Sequence, residues 1–120
     1  MAQQRRDLYF VGDSFEALRQ LPKPVQHGIG TALRLAQEGS KDPGAKPLKG
    51  FGGAGVLEVI EDFDGNTFRA VYTVKLRSGV YVLHCFQKKS KHGIATPKRD
   101  LDLVRRRLSM AMEQDKALSK

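Results

Sequence analysis

Three β-type segments separated by two short turns constrain the fold more than any other feature of the sequence. The segments VLEVIEDF (56–63), TFRAVYTVKL (67–76) and VYVLHCFQKK (80–89) are rich in β-branched and aromatic residues. Asp-Gly-Asn at 64–66 and Arg-Ser-Gly at 77–79 supply turn residues between them. Connections this short join neighbouring antiparallel strands, so the sequence predicts an antiparallel meander.

Helical patterns precede the meander. After a short strand at 7–12, Asp13 and Ser14 offer an N-cap for a short helix that ends at Pro22. Residues 24–38 carry apolar side chains with a 3.6-residue period, which predicts an amphipathic helix. Residues 39–55 hold six glycines and two prolines and are predicted to be loop.

A last helix follows the meander, with Thr96 as its cap and Pro97 at its first position. Its predicted apolar stripe consists of Leu101, Leu103, Val104, Leu108 and Met112, with the three arginines 105–107 on the outer side. The order β-α-α-β-β-β-α predicts an α+β fold, in which two N-terminal helices pack on a curved antiparallel sheet. We expect one domain over residues 1–114 and a frayed tail over 115–120.

The charge of the chain points to a class of partner. Lys and Arg number 21 against 13 Asp and Glu, which gives a net charge of +8 and a pI near 9.9. Residues 88–120 hold ten of the basic residues and four acidic ones. Such clustering in a small domain favours a polyanion such as nucleic acid, and a merely solvated basic surface is the alternative.

Several other classes of site are disfavoured. The lone Cys85 and the three histidines have no metal-ligand spacing, and scattered carboxylates argue against a two-metal nuclease. The glycines of 39–55 match neither the P-loop nor the dinucleotide fingerprint, so we expect no cofactor.

No apolar run approaches the roughly 18 residues of a membrane span, and no secretory signal is recognisable. With one cysteine, we expect a cytoplasmic protein without a membrane partner.

A cationic group at the end of the meander is the candidate site. Arg69 lies inside the second of the three strands, where it either reaches solvent or faces a groove. The third strand ends in a dense set of donors, namely Lys88, Lys89, Lys91 and His92. If the two strands pair, these groups approach Arg69. Alternatively, Lys88 and Lys89 only keep a strand edge soluble.

Cations of this kind suffice to cleave RNA without a metal ion. The ribose 2′-hydroxyl attacks the adjacent phosphorus, which requires a base, an acid for the leaving 5′-oxygen and positive charge on the phosphorane. Arginine supplies fixed bidentate charge to phosphate. A lysine crowded by other cations has a lowered pKa and can exchange a proton near neutrality. DNA lacks the attacking hydroxyl.

Other polar and aromatic residues of the meander have a structural interpretation. His84 is predicted to be a hydrogen-bonded side chain of the sheet and not a catalyst. His92 stands in a polar loop, where it is either exposed or part of a site. Tyr72 and Phe86 lie in apolar runs, so we expect them to pack in the core and not to stack on RNA bases.

The segment TFRAVYTVKLRSGVYVLHCFQKKSKHGIATPKRDLDLVRRRL (67–108) resembles the phage-derived subgroup of RelE/HigB-type toxins. The PLKG-F loop at 47–51 and the strand at 56–63 fit the same pattern, so the likeness covers roughly residues 7–112. The resemblance implies the toxin of a toxin–antitoxin pair, which enters the ribosome, cuts mRNA without metal and is neutralised by a helix-turn-helix antitoxin.

The resemblance also implies roles for individual residues. Arg69 matches the sheet arginine that contacts the scissile phosphate. Lys89, with Lys88 beside it, matches the cation that protonates the leaving group. The general base stays open among Glu58, Lys49 and His92, because the family's own candidate bases have no match here. The RNA-binding set implied by the pattern is Lys46, Lys49, Lys91, Lys98 and Arg99.

Two alternatives from other functional classes remain open. From the second helix onward the order α-β-β-β-α, with KKSK before the last helix, is similar to double-stranded RNA-binding domains, which bind without cleaving. The acidic strand at 56–63 also permits an inactive family member that only binds an antitoxin.

Overall fold

The computed structural model of the protein describes residues 5–88 and 96–119. Within them it has five strands and three helices. In chain order they are β1 (Asp7–Phe10), α1 (Ser14–Arg19), α2 (Lys23–Gln37), β2 (Ala45–Pro47), β3 (Val56–Phe63), β4 (Asn66–Thr73), β5 (Gly79–Lys88) and α3 (Lys98–Leu118).

All five strands form one sheet, in the order β1-β5-β4-β3-β2. The predicted antiparallel meander is confirmed as β3, β4 and β5. The prediction of a wholly antiparallel sheet is wrong, because β1 runs parallel to β5, from Asp7 opposite Gly79 to Phe10 opposite Val82. The predicted loop also contains β2, which adds an antiparallel edge to β3. The fold is therefore α+β with a mixed sheet.

The helices cover both faces of the sheet. Val25, Ile29 and Leu33 of α2 pack in one buried cluster with Val59 and Tyr72 of the sheet. On the opposite face, Val104 and Ala111 of α3 pack in a second cluster, with Val71, Tyr81 and Leu83. The α3 side is called the α3 face below. The protein thus has three layers, whereas the sequence suggested one helical layer on one sheet.

A β-bulge in β5 decides which residues reach the α3 face. Tyr72 pairs with Val82 and Val71 pairs with His84, so Leu83 is an extra residue in the ladder. Side chains alternate along a strand, and the extra residue reverses the alternation beyond it. Leu83 and Phe86 consequently both lie in the α3-face cluster. By the same alternation, His84 and Lys88 point to that face.

The last helix differs from the prediction at both ends. Pro97 and not Thr96 is its N-cap residue, and the helix continues to Leu118. The expected frayed tail after Gln114 is wrong as far as Ser119, because Asp115 is buried and accepts hydrogen bonds from Ser78. The inward positions in its second half are Ala111 and Asp115, whereas Met112 is exposed.

Arg107 does not lie on the outer side of α3. Its Nη1 donates to the carbonyl oxygen of Leu83 at 3.0 Å, and its Nη2 donates to Asp13. Asp13 occupies the predicted N-cap position of α1, but its side chain makes no capping bond and pairs with Arg107 instead. The guanidinium therefore ties α3 to the bulge of β5 and to the start of α1.

None of the helices in the described ranges is both long and apolar enough to cross a membrane.

Candidate functional site

A buried polar network lies on the α3 face, between the sheet and the start of α3. Nη1 of Arg69 donates to both carboxylate oxygens of Glu58, each at 3.0 Å. It also donates to Oγ1 of Thr96 at 3.2 Å, and this hydroxyl donates to Oε2 of Glu58 at 2.7 Å. Arg69 is only 3% exposed. A buried charge of this kind requires a partner, and here Glu58 supplies it.

The strand register brings the network together. Arg69 pairs with Ile60 and Glu58 pairs with Val71, so the two charged residues are diagonal neighbours on one face of the β3–β4 ladder. Thr96 joins them because α3 begins directly above this part of the sheet. The site is therefore built from β3, β4 and the residues just before α3.

Lys88 lies at the end of the same face, opposite Thr67 of β4. Its side chain is buried, with 8% of the residue exposed. Burial lowers the pKa of Lys88, and the neighbouring charge of Arg69 lowers it further, while Glu58 acts in the opposite direction. Such an ammonium gives up its proton more readily than an ordinary lysine, which suits a general acid.

His84 forms a second polar pair on the α3 face. Its Nε2 lies 2.8 Å from Oδ1 of Asp100, and its ring stacks on Phe86 at 4.5 Å between centroids. The predicted hydrogen-bonded histidine of the sheet is confirmed. Its Nδ1 is buried and has no partner among the described residues. Asp100 belongs to the first turn of α3, so this pair also holds the start of that helix against β5.

A groove opens beside the network. It has a volume of about 370 Å³, and Glu58 and Thr96 are among the residues that line it. Lys46 and Lys49, the two lysines of the β2 region, also line it. Lys46 stands directly across from Glu58 in the β2–β3 ladder. The lysines are exposed, so their charges face the solvent at the mouth of the groove.

The structure brings some of the predicted site residues together and separates others. Arg69, Glu58 and Lys88 share the α3 face, and Lys46 and Lys49 flank it. Lys98 and Arg99 are exposed on the first turn of α3, where Lys98 pairs with Asp102 at 3.3 Å. The remaining predicted residues, Lys89, Lys91 and His92, lie outside the described residues.

Two expectations about these residues need correction. The interpretation of Lys88 as a charge that keeps a strand edge soluble is wrong, because the Lys88 side chain is buried. Arg69 faces neither solvent nor an open groove, since Glu58 and Thr96 engage its guanidinium. Thr96 and Asp100 were missed as site residues, because only tertiary packing places them over the sheet.

Two further described residues of the sheet, Tyr72 and Cys85, are buried and poorly reactive. Tyr72 is fully buried, as expected for a packing residue, and burial raises the pKa of its hydroxyl to about 12. Burial also raises the pKa of the Cys85 thiol to about 12, which makes it a poor nucleophile. The described parts of the chain contain no group of three or more His, Cys, Asp or Glu that could hold a metal ion.

The fold and the site together define a small basic α+β protein whose cations converge on one sheet face. Residues 16–109 match the family described as Phage derived protein Gp49-like (DUF891). This match spans most of the chain, so the protein belongs to the phage-derived Gp49-like family. That family is associated with RelE-type toxins of toxin–antitoxin systems, which agrees in broad terms with the resemblance seen in the sequence. No curated protein matches the chain.

Proposed function

We propose that the protein is the toxin of a type II toxin–antitoxin system of the RelE/HigB type. In this proposal it is a metal-independent, ribosome-dependent mRNA endoribonuclease that inhibits translation, and a helix-turn-helix antitoxin neutralises it. The family membership supports a phage-derived toxin in general terms. The sequence resemblance supports the narrower assignment and a RelE-like topology.

The observation that carries the proposal is the convergence of Arg69 and Lys88 on one buried sheet face. A bidentate guanidinium is suited to the charge that develops on a phosphorane. A lysine with a lowered pKa is suited to protonate the leaving 5′-oxygen. Lys89, the residue that the resemblance favours for this second role, follows directly in the chain.

Glu58 is the described residue best placed to act as the general base. Its carboxylate holds Arg69 in the free protein, and a substrate phosphate competes for the same guanidinium. Once the phosphate binds Arg69, Glu58 gives up part of its ion pair and can accept the proton of the 2′-hydroxyl. Lys49 and His92 remain the other candidates for this step.

The same ion pair favours a second candidate function. Glu58 neutralises the charge of Arg69 in the free protein, which is also what a family member that only binds an antitoxin would show. The double-stranded RNA-binding alternative is less well supported. It requires the order α-β-β-β-α, but β2 interrupts this order, and α2 and α3 lie on opposite faces of the sheet.

Induction of the protein in cells, followed by mapping of mRNA 5′ ends, tests the proposal. We expect growth arrest and cuts that keep the reading frame of translated messages. Arg69→Ala and the double change Lys88→Ala/Lys89→Ala should each relieve the arrest, whereas Lys75→Ala, a change of an exposed lysine, should not. Arrest that persists at full strength in folded Arg69→Ala and Lys88→Ala/Lys89→Ala proteins would show that the assigned site is wrong. A folded wild-type protein that binds antitoxin and is not toxic would support the second candidate.

A further inference from the structure

The groove beside Glu58 has the composition of a binding pocket for a flat, partly polar ring. Leu48, Ile60 and Leu101 supply apolar side chains from the β2–β3 connection, from β3 and from α3. Its volume of about 370 Å³ falls within the roughly 300–1,000 Å³ typical of small-molecule pockets. Apolar walls with a few polar groups among them are the usual pattern of such sites.

We propose that this groove binds one nucleotide of the RNA substrate, with the base between the apolar walls and its phosphate at Lys46 and Lys49. The inference rests on the proposed function, because the neighbouring Arg69 would then hold the phosphate that is cut. An anionic ligand fits the two lysines at the mouth, and a stacked base fits the apolar interior.

The Glu58 carboxylate in the lining gives the groove a means to select among bases. A carboxylate offers about four acceptor positions. Oε2 of Glu58 accepts from Arg69 and Thr96, whereas Oε1 accepts from Arg69 alone among the described residues. An acceptor position on Oε1 therefore remains for the base, and Oε2, which loses the Arg69 bond when a phosphate binds that guanidinium, is then the oxygen that can serve the 2′-hydroxyl. Guanine, adenine and cytosine present an exocyclic amino group that can donate to it, as a carboxylate accepts from cytosine N4 in other complexes. Uracil offers only its ring N3–H, which lies between two carbonyl oxygens that a carboxylate repels.

Titration of the isotope-labelled protein with GMP, AMP, CMP and UMP, followed by NMR, tests this site. We expect shifts at the methyl groups of Leu48, Ile60 and Leu101, with weaker binding of UMP than of the other three. Leu101→Phe fills the groove and should weaken binding by at least about tenfold. The matched control is Leu103→Phe, a partly exposed leucine of the same helix that does not line the groove.

A second variant keeps the test decisive if Leu101→Phe does not fold. Lys46→Ala/Lys49→Ala changes only exposed side chains and should weaken binding of all four nucleotides, with loss of salt dependence. Shifts that fall outside the groove, equal effects of Leu101→Phe and Leu103→Phe, or UMP binding as tight as GMP binding would each overturn the proposal. So would binding of an extended peptide at the groove with no competition from nucleotides.

The same variants separate this inference from the proposed function. One outcome is that Leu101→Phe makes in-frame mRNA cuts with the same flanking bases as those of wild type. That result would contradict nucleotide binding in the groove and leave the nuclease proposal intact. Nucleotide binding at the groove by a protein that makes no cuts would contradict the nuclease proposal and leave the groove intact.

Discussion

Nη1 of Arg69 lies 3.0 Å from both carboxylate oxygens of Glu58, and both side chains are almost completely buried. The pair joins β3 to β4 on the face that α3 covers. It places the guanidinium beside a buried carboxylate, with which a phosphate bound at Nη1 would compete. The same contact therefore contributes to the folded state and neutralises the proposed catalytic cation in the free protein.

Removal of one partner of this pair should destabilise the protein strongly. Glu58→Gln removes the carboxylate that neutralises Arg69, and Arg69→Gln removes the guanidinium that neutralises Glu58. We expect each to lower the free energy of unfolding by about 3–5 kcal/mol, measured by urea denaturation. The double variant Glu58→Gln/Arg69→Gln should lose much less than the sum of the two. Additive losses would show that the pair is not coupled, and Glu113→Gln, at an exposed position, is the control.

Lys88 should make the stability of the protein depend on alkaline pH. Its pKa is lowered in the folded protein from the ordinary 10.5, so the unfolded chain holds this proton more tightly. The free energy of unfolding should therefore rise with pH over the window between the lowered pKa and 10.5. Wild type should gain stability relative to Lys88→Met as the pH rises from neutrality through that window. Parallel curves for the two proteins would contradict the lowered pKa, and Lys75→Met serves as the exposed control.

Arg107 and Arg106 are neighbours in the chain, but we expect only Arg107 to contribute to the stability of the protein. Arg107 donates to the carbonyl of the bulge residue Leu83, whereas Arg106 is exposed. Arg107→Met should cost about 1.5–3 kcal/mol of stability, and Arg106→Met should cost almost nothing. Because the bulge orients His84, Arg107→Met should also shift the ring resonances of His84 in NMR spectra. Equal stability of the two variants would show that the bulge does not depend on Arg107.

Asp115 anchors the end of α3 to the β4–β5 connection. Its carboxylate accepts from the hydroxyl and the backbone N–H of Ser78 and from the backbone N–H of Arg77. The Ser78 bonds contribute most to a pKa of Asp115 below its ordinary 3.8, so the stabilisation is present above that pH and is lost as the pH falls below it. Truncation after Gln114 should lower the melting temperature at pH 7 more than Glu113→Ala does. A truncated protein with the wild-type melting temperature would restore the interpretation of this segment as a frayed tail.

The elements of the fold could be read from local patterns because their causes are local. The strand predicted at 56–63 is β3, residue for residue, since the alternation lies within it and a Gly-containing turn follows it directly. The helix predicted at 24–38 lies within one residue of α2 for the same reason. The candidate cations Arg69 and Lys88 could be identified as well, because their positions on the meander place them at neighbouring strands.

Other features depend on contacts between residues far apart in the chain. Nothing near Leu83 in sequence marks a bulge, yet this one extra residue turns Lys88 toward Arg69. Thr96 reads as a helix cap, but its hydroxyl bonds to Glu58 once α3 lies over the sheet. The parallel pairing of β1 with β5 likewise has no local signal, since strand partners are chosen by packing.

The amino-acid sequence by itself thus determined the number and type of most elements, the excess of positive charge and which residues are candidates for binding phosphate. Only the tertiary structure decided which of those charges are neutralised, which are buried and which side chains border a groove. The physical reason is distance: hydrophobic periodicity and turn chemistry act over a few residues, whereas ion pairing and desolvation depend on neighbours that only the folded chain brings together.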